Sequence, residues 1–209
     1  MDNKEVDYTL YLCTGRGLMR SSTIEETVEQ AIIGGTGVVQ LREKDIDAKD
    51  FYEMAVRLKQ ITDHYHVPLI INDRVDIALA CDAAGVHIGQ RDIPAKQVRK
   101  MIGKNKLLGV SASTLEEAVK AVEDGADYLG IGAMYATNTK EDAEIVTISE
   151  LKRIREAVDV PIVVIGGINL DTLDNFKGYG IDGLAVVSAI MSAEDVEAAA
   201  RELVTRFRE

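Results

Sequence analysis

Short β-branched apolar runs alternate with amphipathic stretches along the whole chain. Eight runs read as strands: Tyr8–Cys13, Val38–Leu41, Leu69–Ile71, Gly85–Ile88, Leu107–Val110, Tyr128–Ile131, Ile162–Ile165 and Gly183–Val187. Several are apolar without interruption, as in Pro161-Ile162-Val163-Val164-Ile165. A strand covered on both faces reads this way, so the pattern predicts a parallel sheet. Between the runs, Phe51, Met54, Ala55, Leu58 and Ile61 form one helical stripe, and Val196, Ala199, Ala200, Leu203 and Phe207 another. Thr23 with Glu26, Thr114 with Glu117, and Thr147 with Glu150 fit the capping spacing. In that motif the threonine accepts from a first-turn amide and the glutamate reaches back. Gly34-Gly35 and Gly125 supply helix stops.

Eight βα units in one stretch predict a closed (β/α)8 TIM barrel, a single domain over residues 1–209. The length lies near the lower end of the ~200 to 400 residues of that fold, so loops must be short. An open doubly wound sheet is the competing architecture, but the first βα turn has no Gly-x-Gly-x-x-Gly fingerprint. Apolar residues make up 46% of the chain, aromatics only 5%, and Trp is absent, so the core must be aliphatic. A net charge of −11 argues against nonspecific binding to nucleic acid or acidic membrane, while leaving room for a local cationic pocket. Cys13 and Cys81 are too few for a disulfide framework and read as reduced core thiols of a cytoplasmic protein. The first residues are polar and acidic, unlike a signal peptide, and no apolar run approaches the ~20 residues that span a bilayer.

Polar chemistry collects after the strands. The second ends in Gln40-Leu41-Arg42-Glu43-Lys44 and the third in Asn72-Asp73-Arg74. The fourth is followed by His87, Gln90 and Asp92, the fifth by Ser111 and Ser113, and the sixth by Thr137, Thr139 and Lys140. Gly166-Gly167 follows the seventh and Ser188 the eighth. In a barrel these ends converge on one rim, where active sites of the fold lie. Asp73 and Asp92 offer hard oxygens suited to Mg²⁺ shared with a substrate phosphate. The plainer alternative makes Asp73 a helix cap and Asp92 a loop residue before Pro94. Arg42, Lys44 and Lys140 form a candidate clamp for a diphosphate. Strand alternation turns Glu43 away from Arg42 and Lys44, toward a structural ion pair. Gly166-Gly167 with Val187-Ser188 suggests a second anion site built from backbone amides. His64 and His66 read as surface or capping residues, and His87 as a satisfied interior group. Neither cysteine has a neighbour that would activate it.

The stretches QLREK (40–44), PLIINDRVDIALA (68–80), GVHIGQRDIPA (85–95), GVSAST (109–114), GADYLGIGAMYATNTKEDA (125–143), PIVVIGGI (161–168) and VVSAI (186–190) resemble the thiamine phosphate synthase family, in order. The resemblance runs from about Tyr8 to the final helix. It implies a (β/α)8 barrel that joins a hydroxymethylpyrimidine diphosphate to a thiazole phosphate, giving thiamine phosphate and pyrophosphate. The resemblance assigns the diphosphate substrate to the segment Gln40, Leu41, Arg42, Glu43 and Lys44 with Asn72, Ser111 and Lys140. The catalytic roles within that set fall to Arg42, Lys44, Ser111 and Lys140. It assigns the thiazole phosphate to Thr137, Asn138, Thr139, Gly167, Val187 and Ser188, and Mg²⁺ to Asp73 and Asp92. It further implies a carbocation-like substitution without a protein nucleophile, and a carboxylated thiazole phosphate as partner. The implied ligands are two phosphorylated small molecules, with no nucleic acid, membrane or obligate protein partner. The chain departs from the family pattern at Cys13-Thr14-Gly15-Arg16, often Val-Thr-Asp, and at Ala136, where proline is common. A thiazole tautomerase on the same barrel, or a noncatalytic phosphate-ligand sensor, is the alternative reading.

Overall fold

The computed structural model describes residues 6–20, 23–136 and 145–209. Eight parallel strands close into a barrel in chain order: β1 (Leu10–Cys13), β2 (Val38–Leu41), β3 (Leu69–Asn72), β4 (Gly85–Ile88), β5 (Leu107–Ala112), β6 (Tyr128–Ile131), β7 (Ile162–Ile165) and β8 (Gly183–Val186). β1 closes on β8 through Leu10↔Leu184 and Leu12↔Val186. All eight predicted runs are strands. The largest shifts are of two residues: β5 continues beyond the predicted end to Ala112, and β1 begins at Leu10 and not at the predicted Tyr8.

Strand alternation sorts the side chains into two layers. One set, including Leu10, Leu12, Val39, Leu41, Ile71, Val86, Leu129, Val164 and Leu184, packs outward against the helices. The other, including Tyr11, Cys13, Val38, Ile70, Leu107, Tyr128, Val163 and Ala185, fills the barrel interior. The outer layer is aliphatic, as the composition predicts. The interior instead holds Tyr8, Tyr11 and Tyr128, three of the chain's seven tyrosines.

The helices are α1 (Ile24–Ile33), α2 (Ala48–His64), α3 (Val75–Ala80), α4 (Ala95–Ile102), α5 (Leu115–Glu123), α6 (Ile148–Ala157), α7 (Ser188–Met191) and α8 (Val196–Arg208). Phe51, Met54, Ala55 and Leu58 are the buried stripe of α2. Thr23, Thr114 and Thr147 each cap their helix, accepting from the amides of Glu26, Glu117 and Glu150. The expected reach-back by glutamate takes a different form. Glu117 accepts from the Ser113 amide, and Glu150 accepts from the Leu115 amide at the start of the neighbouring α5, both at 2.7 Å. Adjacent helix starts lie side by side on a barrel rim, so one carboxylate can satisfy a free amide of the next helix. The crossover between β7 and β8 also departs from the repeat, holding only a 3-10 turn, Leu173–Phe176, in place of a full helix.

Candidate active site

The rim at the C-terminal ends of β2, β3 and β4 gathers Arg42, Lys44, Asp73 and Asp92. The Asn72↔His87 pairing of β3 with β4 is prolonged by the Asp73 amide, which donates to the His87 carbonyl at 2.8 Å. The chain then turns sharply: the Arg74 amide donates to the Asn72 carbonyl at 2.7 Å. Asp73 itself takes φ +60°, the left-handed region that short polar side chains tolerate best. Such a conformation costs on the order of 1–3 kcal/mol and persists where its surroundings enforce it. Asp92 is anchored by the Gly89 amide, which donates to Oδ2 at 2.7 Å.

These two turns bring the carboxyls of Asp73 and Asp92 together. Asp73 is pushed up to about 6, first by burial, then by the charge of Asp92 and a hydrogen bond shared with it, while Lys44 and Arg42 pull the other way. Two carboxylates and two cations from three successive loops therefore feel one another. Facing hard oxygens in a half-buried site fit a divalent cation of the Mg²⁺ type. Among the described residues no third carboxylate, histidine or cysteine completes a cage, so the remaining ligand positions fall to water or substrate oxygens.

Arg42 is fixed from below. Its amide donates to Thr14 Oγ1 at 3.0 Å, and the Thr14 amide donates to the Gln40 carbonyl at 2.9 Å. Glu43 pairs with Arg16 of the first loop at 2.9 Å, with its side chain 8% exposed. Arg16, one of the departures from the family pattern, thus has a defined partner in the next loop. The Leu41 side chain is fully buried in the outer layer, away from the mouth. Arg74 lies beside the cluster but is engaged in a two-bond pair with Asp76.

Inside the barrel, beneath this rim, runs a buried hydrogen-bond chain. Gln40 Nε2 donates to the Tyr11 hydroxyl at 2.8 Å. The Tyr11 and Tyr128 hydroxyls are 2.7 Å apart, and Tyr128 Oη lies 3.1 Å from His87 Nδ1. His87 Nε2 lies 2.9 Å from Ser111 Oγ. Five residues from β1, β2, β4, β5 and β6 are joined in this way. Gln90 adds a bond from its amide nitrogen to the Ser111 carbonyl at 2.7 Å. Gly109 makes room for the chain: a Cβ there would fall 2.1 Å from Tyr128 Cζ and 2.4 Å from His87 Nδ1.

On the opposite part of the rim, Gly166 and Gly167 take φ +96° and +67°. A Cβ on Gly167 would meet Tyr135 Cβ at 2.7 Å, so this turn needs glycine for both conformation and space. The Gly167 carbonyl accepts from Thr172 Oγ1 at 3.0 Å. Ser188 begins α7 and is exposed, and Val187 packs beside Gly15. Thr137, Asn138, Thr139 and Lys140 lie outside the described residues.

Tyr11 and Tyr128 are absent from the residues that the sequence pattern singles out. Two tyrosines at inward strand positions of an aromatic-poor chain were the available signal, but their partners are distant in sequence. Cys13 is buried and its thiol is pushed up to about 12 by that burial, which suits packing and not nucleophilic attack. A surface concavity of about 650 Å³ near Arg16 is lined by Asp45, Asp47, Asp50 and Glu53. Arg57 lines it as well, so four carboxylates face two arginines, and this excess of negative charge disfavours a phosphorylated ligand. No helix among the described residues is long and apolar enough to cross a membrane.

Fold and mouth together define a (β/α)8-barrel enzyme. The family model described as thiamine monophosphate synthase matches residues 10–190. A thiamine-phosphate synthase of Clostridium beijerinckii is 61% identical over 203 residues, covering 97% of each chain. One from Clostridium tetani is 55% identical over 209 residues, covering 100% of each. The solved structure of a thiamine phosphate pyrophosphorylase from Pyrococcus furiosus superposes with a TM-score of 0.88 at 38% identity, over 98% of each chain. The chain belongs to the thiamine monophosphate synthase family and is a transferase of thiamine biosynthesis.

Proposed function

We propose that the chain couples a hydroxymethylpyrimidine diphosphate to a thiazole phosphate or its carboxylated form, releasing pyrophosphate. The observation that carries this reading is the meeting of Asp73 and Asp92 within electrostatic reach of Arg42 and Lys44. A mouth holding opposite charges side by side suits a ligand that is itself polyanionic and arrives with a cation. Asp73 and Asp92 hold the metal, and a bound Mg²⁺ supplies positive charge against the departing pyrophosphate. Arg42 and Lys44, with Lys140, orient the diphosphate and stabilise the charge that grows as the methylene–oxygen bond breaks. Asn72 and Ser111 add polar contacts to the same substrate, and Gln40 reads the pyrimidine. Electrons from the aminopyrimidine support a carbocation-like methylene, which the thiazole nitrogen then attacks. The chemistry needs no protein nucleophile, in keeping with a buried, high-pKa Cys13. The thiazole phosphate is proposed to sit at the Gly167 turn and the start of α7, with Thr137, Asn138, Thr139, Val187 and Ser188 as its contacts.

The deciding experiment incubates the protein with both substrates and Mg²⁺ and assays thiamine phosphate and pyrophosphate. Formation of both in equal amounts is expected, and dependence of the rate on Mg²⁺. Binding of either ligand without turnover would instead support the sensor. The two-site arrangement has its own test. Ser188→Ala should raise KM for the thiazole phosphate about tenfold, the scale of one hydrogen bond to a charged group. KM for the diphosphate substrate should move by less than about twofold, within the scatter expected of a residue making no contact with it. Equal losses for both substrates would remove the basis for separate anion sites.

A further inference from the structure

We propose that Gln40 sets the direction of hydrogen bonding along the buried chain to Ser111, leaving the Ser111 hydroxyl as a proton donor toward bound substrate. Tyr11, Tyr128 and His87 are then positioning residues that transmit this direction across the barrel. The substrate side of the proposal, that Ser111 faces the diphosphate, rests on the function proposed above.

The argument follows the protons. An amide nitrogen only donates, so the Tyr11 hydroxyl accepts from Gln40 Nε2. Tyr11 is 1% exposed, and its own proton needs an acceptor. The hydroxyl oxygen of Tyr128, 2.7 Å away, is the acceptor in place. Tyr128 is fully buried and now accepts from Tyr11, so its proton goes to His87 Nδ1 at 3.1 Å. An Nδ1 that accepts is unprotonated, and the neutral ring carries its proton on Nε2. That proton is donated to Ser111 Oγ at 2.9 Å. With one lone pair engaged by His87, Ser111 is free to point its own O–H into the mouth, where it suits an anionic oxygen.

The opposite order is equally complete. If the Gln40 carbonyl faced Tyr11, every link would reverse, His87 would carry its proton on Nδ1, and Ser111 would donate to His87. Ser111 would then offer only lone pairs to the ligand, which repel a diphosphate oxygen. The chain is therefore a device with two orders, and the amide at one end selects between them. Gly109 and the neighbouring Gly130 keep the path open: a Cβ at 130 would lie 3.1 Å from His87 Cε1.

The test reads the His87 tautomer by nitrogen-15 NMR of histidine-labelled protein, well above the ordinary imidazole pKa. The chain has three histidines, and His87→Asn identifies the signals to follow. The wild type should show a protonated Nε2 and a bare Nδ1. Gln40→Glu places an acceptor-only carboxylate against Tyr11 and should reverse the order, moving the proton to Nδ1 three hydrogen bonds away. The same tautomer in both proteins, or Nδ1–H in the wild type, would overturn the proposal. If Gln40→Glu does not fold, the wild-type tautomer decides alone, together with Tyr128→Phe. That variant keeps the ring and cuts the chain. It should lower kcat/KM for the diphosphate substrate about tenfold, the scale of a lost buried pairing, and leave KM for the thiazole phosphate within about twofold. The tautomer is read on the protein alone. Absence of thiamine phosphate formation would therefore count against the proposed function without deciding the tautomer result.

Discussion

Asp92→Ala is expected to lower kcat/KM at least ~100-fold under saturating Mg²⁺, equivalent to roughly 3 kcal/mol of transition-state stabilisation. The variant should still fold, because Asp92 lies in a loop, where the Gly89 amide anchors its carboxylate. Steady-state assays with and without Mg²⁺ check the first claim, and thermal unfolding checks the second. Unchanged turnover in this variant would reject the metal assignment. The metal-free protein adds a pH dependence with a definite sign. The Asp73 carboxyl sits at about 6 in the folded protein, above its ordinary 3.8. Between those values the native chain keeps a proton that the unfolded chain has lost. The resulting stability is fully present below the ordinary value and is lost as pH rises through about 6. Discounted for solvent at a half-open mouth, the loss is on the order of 1–2 kcal/mol. In Asp92→Ala burial still raises the Asp73 carboxyl, but the neighbouring charge and the shared hydrogen bond are gone. The slope of stability against pH between 4 and 6, in the presence of chelator, should therefore be shallower than in the wild type.

Gly109→Ala should be strongly damaging, because the space beside Gly109 is taken up by two rings of the buried chain. The added methyl would lie 2.1 Å from Tyr128 Cζ, 2.2 Å from its hydroxyl oxygen and 2.4 Å from His87 Nδ1. Neither ring can yield easily. Tyr128 is fully buried and stacked among Tyr8, Tyr11 and His87, with ring centroids 5.1 to 5.8 Å away. Overpacking of this kind costs about 3 kcal/mol at a rigid site. For a chain of this size that is a fall in Tm of roughly 6–12 °C. The Tyr128–His87 bond breaks as well, so kcat/KM should fall at least ~10-fold even where the variant is folded. Gly17→Ala is the control, since a Cβ there meets nothing within 4 Å. A Gly109→Ala protein with the melting temperature and activity of the Gly17→Ala control would show that the interior is looser than its packing implies.

The barrel was legible in the sequence because each strand announces itself locally. A stretch such as Pro161–Ile165 is apolar at every position, short and rich in β-branched residues, with Pro at its head and Gly after it, as a strand covered on both faces is. Threonine caps are equally local, the oxygen and the amide it serves being three residues apart. The second half of the capping motif was less legible. Glu150 serves a neighbouring helix, and which helix starts lie side by side is fixed only by barrel closure. The shortened seventh crossover has the same character, since its Leu173–Phe176 turn sits where the repeat predicts a helix.

By itself the sequence determined the strand set, the barrel, the family, and the placement of polar residues after each strand. It did so because periodicity, capping and strand-end position are properties of neighbouring residues. Only the tertiary structure decided that Asp73, in a left-handed turn, meets Asp92 and feels Lys44 and Arg42. It alone joined Gln40, Tyr11, Tyr128, His87 and Ser111 into one chain, across sequence separations of 24 to 117 residues. Nothing along the chain links a tyrosine on β1 to one on β6. Closure of the cylinder brings them within hydrogen-bonding distance, and a missing Cβ at Gly109 leaves the space for the next link.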